Sequence, residues 1–213
     1  MSHDLSALRL VDLEIADESR LNLLWIEGFI KGGSALEISV PGLPLRPALE
    51  ALFDKVTHIP ASSENVSGRA CRIPAPNQTF DLVTLYGRRP SLPTLREILR
   101  VLRPSGVLYL AVRNRWWYGR VRVANPHPGS RGLFGGPRLV RTVRAVGFSV
   151  VRQYYLDPSL ATPRDFIPAH RPSLATRELT LRKEGETGPM RRAFVQLGLF
   201  GFLYPGRLIL ARV

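Results

Sequence analysis

FDLVTLYG, Phe80 to Gly87, followed by LREILRVLRPSGVLYLAVRNR, Leu95 to Arg115, decides how this chain is read. Phe80 to Tyr86 is a short apolar run rich in β-forming residues, and Leu92 to Leu102 is amphipathic at helical spacing. Arg100 and Arg103 fall in the last turn of that helix, where their charge suits its negative end, and Pro104-Ser105-Gly106 stops it. Gly106 to Val112 is apolar again. Strand, helix and strand in this order form a βαβ unit.

The same grammar continues upstream. Ala35 to Val40 reads as a strand, a Pro/Gly-rich turn follows, Leu45 to Phe53 is helical, and Val56 to Ile59 is a strand. Strands that are continuously apolar are buried on both faces, as in a parallel sheet covered by helices. The expected fold is therefore α/β, a doubly wound, mostly parallel sheet with helices on both faces, in truncated form. Ahead of it, Glu18 to Lys31 places Leu21, Leu24, Trp25 and Phe29 at helical spacing before Gly32-Gly33 ends the helix. Beyond Val112 the sequence is loop-like from Arg115 to Gly136. A short helix follows at Leu139 to Val146, then a strand at Phe148 to Tyr155. Asp157 to Met190 has no periodicity, and Arg207 to Val213 is a final strand.

A chain of 213 residues with 45% hydrophobic content fits one domain. It divides into an N-terminal helical segment (1–34), the core sheet (35–156) and a C-terminal loop with its strand (157–213). Cys71 is the sole cysteine, so an internal disulfide and a cysteine-based zinc site are excluded, which fits a reducing compartment. The first twenty residues mix acids with apolar residues and lack the pattern of a signal peptide, so a cytoplasmic protein is expected. The apolar stretch Ala193 to Val213 is interrupted by Gly201, Pro205, Gly206 and Arg207. It falls short of the roughly 20 unbroken residues of a spanning helix. The net charge is +13, and only Lys31, Lys55 and Lys183 are lysines. Guanidinium-rich surfaces attract phosphates or acidic partners. The arginines read as scattered, in the way that a GC-rich genome produces, and no nucleic-acid-binding motif accompanies them.

FDLVTLYG and the run from Leu95 to Arg115 closely resemble the second half of class I S-adenosylmethionine-dependent methyltransferases of the methyltransferase type 11-like group. In that family a strand is followed by a helix ending in RVLKPGG and by a further strand. NRWWYGR at Asn114 to Arg120, AVGFSVVRQYYLDPS at Ala145 to Ser159 and the closing LILARV resemble the later strands, so the likeness spans most of residues 35 to 213. The spelling with NRWWYG, YY and DP is similar to bacterial methyltransferases encoded near sugar and polysaccharide genes.

The resemblance implies an S-adenosylmethionine site at the carboxyl ends of the strands, where a glycine-rich turn lets backbone approach the cofactor. Its residues here are Glu37, Ser39, Gly42, Tyr86 and Gly87, a vestigial set. With Glu37 on the family's acid, Ser39, Pro41 and Leu43 stand where glycines belong, and Gly42 alone remains. Pro60 replaces the acid that holds the ribose hydroxyls, and Arg69 lies near the position of the acid that contacts adenine. The chain is also short between Ser62 and Arg72 and between Gly87 and Leu95.

For an acceptor or other substrate the candidates are Asn114, Trp116, Trp117, Tyr118 and His127, in the loop that often faces the acceptor in such folds. His58, His127 and His170 could each act as a base, but none lies in a motif, so no catalytic residue is assigned. Asp81 is a framework position, at least one of Tyr154 and Tyr155 belongs to the core, and the spacing of Asp157 and Asp165 identifies no metal site. The sequence thus reads as a methyltransferase-like protein with an eroded cofactor site, acting as a regulatory or partner protein of another enzyme or as a homo-oligomer. Two alternatives stand beside it: an active methyltransferase on a small-molecule or sugar-related acceptor, and an arginine-rich anion- or RNA-binding module.

Overall fold

The computed structural model describes residues 30, 32–40, 45–61, 71–87, 89–114, 136–157, 160, 163, 165–171, 193, 197, 199 and 204–213. Of the helix read at Glu18 to Lys31, all but Ile30 lies outside them. Ser34–Ser39 (β1) leads to Arg46–Leu52 (α1) and Lys55–Pro60 (β2). Phe80–Tyr86 (β3), Leu92–Val101 (α2) and Leu102–Arg113 (β4) form the second βαβ unit. Gly136–Val146 (α3), Val150–Asp157 (β5), Asp165–Pro168 (β6) and Gly206–Arg212 (β7) complete the order.

The seven strands form one sheet in the order β2-β1-β3-β4-β7-β5-β6. The first four are mutually parallel. β7 runs antiparallel between β4 and β5, and β6 adds antiparallel to β5. Period-two alternation sends the side chains of the central strands to two separate cores. Leu36, Ile38, Val83, Leu85, Leu108 and Leu110 pack with α2 and α3 through Leu95, Ile98, Leu139 and Val143. Ala35, Leu82, Tyr86, Tyr109 and Ala111 pack with α1 through Leu45, Ala48 and Leu49. This double burial is what continuous apolar strands require.

Local chemistry sets the element ends. Ser91 accepts from the Thr94 amide at 3.2 Å and caps α2, with Pro93 in its first turn. The helix ends at Val101, since Leu102 is already extended. Arg103, expected in the last turn, instead stands at the start of β4. There its guanidinium reaches both Asp81 oxygens at 2.9 and 2.8 Å, while Asp81 also accepts from the Ser34 amide. Asp81 thereby joins β1, β3 and β4. Pro104-Ser105-Gly106 forms a bulge within β4, with Ser105 at φ 66° and the register shifting between Phe80 and Leu82. A Cβ at Gly106 would sit 2.8 Å from the Arg103 carbonyl oxygen, so the bulge closes only around glycine. β6 lies where no periodicity is visible in the sequence, and Tyr154 and Tyr155 are both only partly buried.

Arg100 fastens the segment from Cys71 to Asn77 onto α2. Nη1 donates to Ala75 O at 2.9 Å and Asn77 Oδ1 at 2.8 Å, and Nη2 to Ile73 O at 3.0 Å and Glu97 Oε2 at 2.9 Å. Nε donates to Glu97 as well, and the Glu97 carboxylate accepts from the Ile73 amide at 3.0 Å. Arg100→Ala is expected to cost about 2–3 kcal/mol in urea unfolding, the loss of charge-assisted bonds in a partly buried site. The hydrogen bond from Arg100 is the largest effect holding the Glu97 carboxyl below its ordinary value of 4.5. The stability this gives is complete above the unfolded value and disappears as pH falls through the lower folded one. Unfolding curves across that acid range should therefore flatten in the alanine variant.

Candidate functional site

The chain leaves β1 for β2 on one side and returns to β3 on the other. The sheet order therefore reverses between β1 and β3. In open α/β sheets a crevice for ligands lies outside the carboxyl ends of the strands at such a switch point. Here the facing register pairs are Ser39 with Tyr86 and Ser39 with Pro60. The backbone closes the edge: the Val40 amide donates to Tyr86 O at 3.4 Å, Ala61 to Ser39 O at 2.9 Å, and Gly87 to Ala111 O at 2.9 Å. Gly87 takes φ 79°, a left-handed conformation that side chains resist, where β3 turns away.

Glu37 sits one pleat below this edge, fully buried on the α1 side. Its Oε1 accepts from the Leu45 amide at 2.8 Å. Its Oε2 lies 3.0 Å from Nδ1 of His58, its register partner on β2. A carboxylate only accepts, so the ring proton belongs on Nδ1. Leu45 precedes α1 and offers no side-chain cap, and an acid beneath a helix start also meets the positive end of its dipole. Each oxygen of Glu37 thus carries one hydrogen bond from the protein.

Tyr86 is buried and its hydroxyl donates to the Leu160 carbonyl, while its ring stacks on Tyr109 at 6.3 Å between centroids. Burial pushes both phenols well above their ordinary value and keeps them protonated. Asn114, at the end of β4, is nearly buried. Its amide group donates to Tyr204 O at 2.8 Å and its Oδ1 accepts from Arg207 Nε at 3.3 Å, while its backbone amide donates to Pro205 O at 2.8 Å. Arg207 in turn lies 5.1 Å over the Tyr155 ring. These contacts strap β4 to the lead into β7.

Of the sequence candidates, the fold brings Glu37, Ser39, Tyr86 and Gly87 together at the β1–β3 switch and sets Asn114 at the end of the next strand. Gly42, Trp116, Trp117, Tyr118 and His127 lie outside the described residues, as do Pro41, Leu43 and Arg69. His170 is exposed beyond β6. Sequence reading missed the pairing of His58 with Glu37. It could have been found by setting Ala35–Val40 beside Val56–Ile59 as parallel neighbours in register. A cavity of about 700 Å³ lies on the α2 flank, lined by Cys71, Arg72, Pro74 and Pro76 around Arg100. It is away from the switch, and every donor of Arg100 within it is already engaged. Among the described residues no group of three or more His, Cys, Asp and Glu is placed to hold a metal ion.

Glu37→Gln keeps an acceptor for Leu45 but loses the acceptor facing His58. It should destabilise the chain by about 1–3 kcal/mol in denaturant unfolding, the cost of a mismatched buried polar group. His58→Ala should cost a comparable amount, because, although His58 is 36% exposed, its loss leaves an oxygen of the buried Glu37 carboxylate without its donor.

No protein-family model matches the chain, and no curated protein does. Solved structures do. A SAM-dependent methyltransferase from Archaeoglobus fulgidus aligns with a TM-score of 0.56 at 12% identity, over 91% of this chain and 92% of its own. A chain from the complex of the Haloferax volcanii Trm112 methyltransferase activator with a methyltransferase aligns with a TM-score of 0.54 at 17% identity, covering 95% and 92%. Phosphoethanolamine N-methyltransferase 2 of Haemonchus contortus, solved with S-adenosyl-L-methionine, gives 0.51 at 11% identity, covering 91% of this chain and 51% of that one. The fold is that of the class I S-adenosylmethionine-dependent methyltransferases.

Proposed function

We propose that this methyltransferase-fold chain works as a non-catalytic partner of another protein rather than by transferring methyl groups itself. The observation that carries the reading is the state of Glu37. The acid expected to serve the cofactor turn is buried with one oxygen on the Leu45 amide and the other on His58. Beside it, β2 ends in Pro60, whose side chain accepts no hydrogen bond from a ribose hydroxyl. On this reading the described residues at the switch do not fit S-adenosylmethionine, and no step through it is derived. A cofactor that displaced one buried bond of Glu37 would forfeit roughly 1–3 kcal/mol, which is up to about a hundredfold in affinity.

The retained framework suits a protein that is recognised by its shape. The solved Haloferax volcanii complex sets a methyltransferase beside a separate activator, which supports a protein partner for this chain. No helix among the described residues is long and apolar enough to cross a membrane. A cytoplasmic setting belongs to the proposal and rests on the lone, buried Cys71, whose thiol burial pushes up and keeps in its unreactive form.

Calorimetry with S-adenosylmethionine and S-adenosylhomocysteine, run beside thermal unfolding, tests this reading, since any ligand of the native state raises apparent stability. The expected outcome is no heat and no shift at millimolar ligand. Binding at micromolar ligand would overturn the proposal and establish the chain as a cofactor-binding methyltransferase.

A further inference from the structure

The arginines are not scattered. Between Asp81 and Asp157 the sequence holds fourteen arginines and one acid, Glu97. That segment therefore carries the whole net charge of +13, while the remaining residues, with sixteen basic and sixteen acidic side chains, cancel. Base composition of a genome can favour arginine over lysine along a whole chain. It does not remove acids from one stretch and leave the rest balanced.

The fold sets part of this charge on the helices α2 and α3, while Arg103, Arg113 and Arg152 stand on strands and Arg88, Arg115, Arg120, Arg122 and Arg131 lie outside the described residues. α2 and α3 cover the same face of the sheet, packed on one core through Leu95, Ile98, Leu139 and Val143. α3 contains no acid, and Arg138, Arg141 and Arg144 recur every three residues along its exposed side. They span about 9 Å of helix axis. Arg96 is exposed on α2. The one acid of the segment is spent, because Glu97 is held by Arg100 and the Ile73 amide. Arg89, where the chain enters α2, has its guanidinium held below its ordinary value, first by burial and then by the charge of Arg138. Among the described residues no ion pair holds Arg96, Arg141 or Arg144. The α1 side contrasts with this, since Arg46 there pairs with Glu50 at 2.7 Å.

We propose that the α2–α3 face, through Arg96, Arg138, Arg141 and Arg144, binds the phosphate backbone of single-stranded RNA. Two features favour this occupant over an acidic protein. Protein interfaces set mixed charges at a polar rim, whereas nucleic-acid interfaces are strongly and uniformly positive. The same segment also spells Arg115-Trp116-Trp117-Tyr118-Gly119-Arg120, outside the described residues, and aromatic rings interleaved with guanidinium groups are the residue types on which unpaired bases stack. No base-reading motif is present, so binding is to the backbone and tolerant of sequence. The inference does not depend on whether the cofactor site is eroded.

The test is fluorescence anisotropy of the full chain with a labelled oligouridine across a salt series. Each phosphate contact contributes about 0.7 to the slope of log affinity against log salt for single strands. The variant Arg138→Gln/Arg141→Gln/Arg144→Gln should therefore flatten the slope by about 2 and weaken binding at low salt tenfold or more. Two controls keep the result interpretable. The triple Arg→Lys variant at the same positions should retain most of the affinity. Arg46→Gln/Lys55→Gln/Arg171→Gln removes the same charge from exposed positions outside the segment and should leave the slope nearly unchanged. Equal weakening by both glutamine sets would overturn the proposal in favour of diffuse attraction. Competition by poly-glutamate at charge equivalence would overturn it in favour of an acidic protein, and absence of binding at low salt would overturn it outright.

Discussion

One buried carboxylate organises the carboxyl end of the central strands in this molecule. Glu37 stands on the central strand β1, fully removed from water. A carboxylate in that position is tolerable only when both oxygens are hydrogen-bonded. The protein supplies both partners itself: the Leu45 amide at the entry to α1 and the His58 ring on β2. That requirement fixes how α1 is hung on the sheet and which residue of β2 lies opposite β1. Each oxygen of Glu37 thereby carries a hydrogen bond from the protein itself.

Charge does comparable work at the opposite end of the strands. Asp81 joins β1, β3 and β4 through the Ser34 amide and Arg103, while Arg100 and Glu97 hold the segment before β3 against α2. The sheet between these polar clasps is almost entirely aliphatic and aromatic. The division is physical. Apolar burial supplies most of the stability but has no direction, whereas the clasps, with their geometric demands, select one arrangement of loops.

Much of the fold could be read from residues 35 to 113. β3 was expected at Phe80 to Tyr86 and is found there, because an apolar run between polar turns has one sensible reading in a parallel sheet. α2 was also evident, but its end was not. Arg103 looks like a helix-terminal cation until its partner Asp81, distant in sequence, is known. β6 escaped because four residues carry too little pattern, and its pairing with β5 is a tertiary event. The placing of Glu37, Ser39, Tyr86 and Gly87 near the β1–β3 switch was legible, while Gly42, Trp116, Trp117, Tyr118 and His127 lie outside the described residues. The commitment of Glu37 to His58 was not legible, because strand register decides it. The concentration of charge was present in the sequence throughout. It acquired meaning only when α2 and α3 were seen to share one face.

The account rests on Glu37 as a closed lock that joins Leu45, at the entry to α1, to the sheet. Native-state hydrogen exchange at the Leu45 amide tests this most directly, because a donor held by a buried carboxylate is released only when the structure around it opens. If the lock is closed, the Leu45 amide exchanges at the rate set by global unfolding, alongside the amides of β1 and β3. Exchange orders of magnitude faster than those strands would show that the Leu45 amide leaves Glu37 without global unfolding, which contradicts the account.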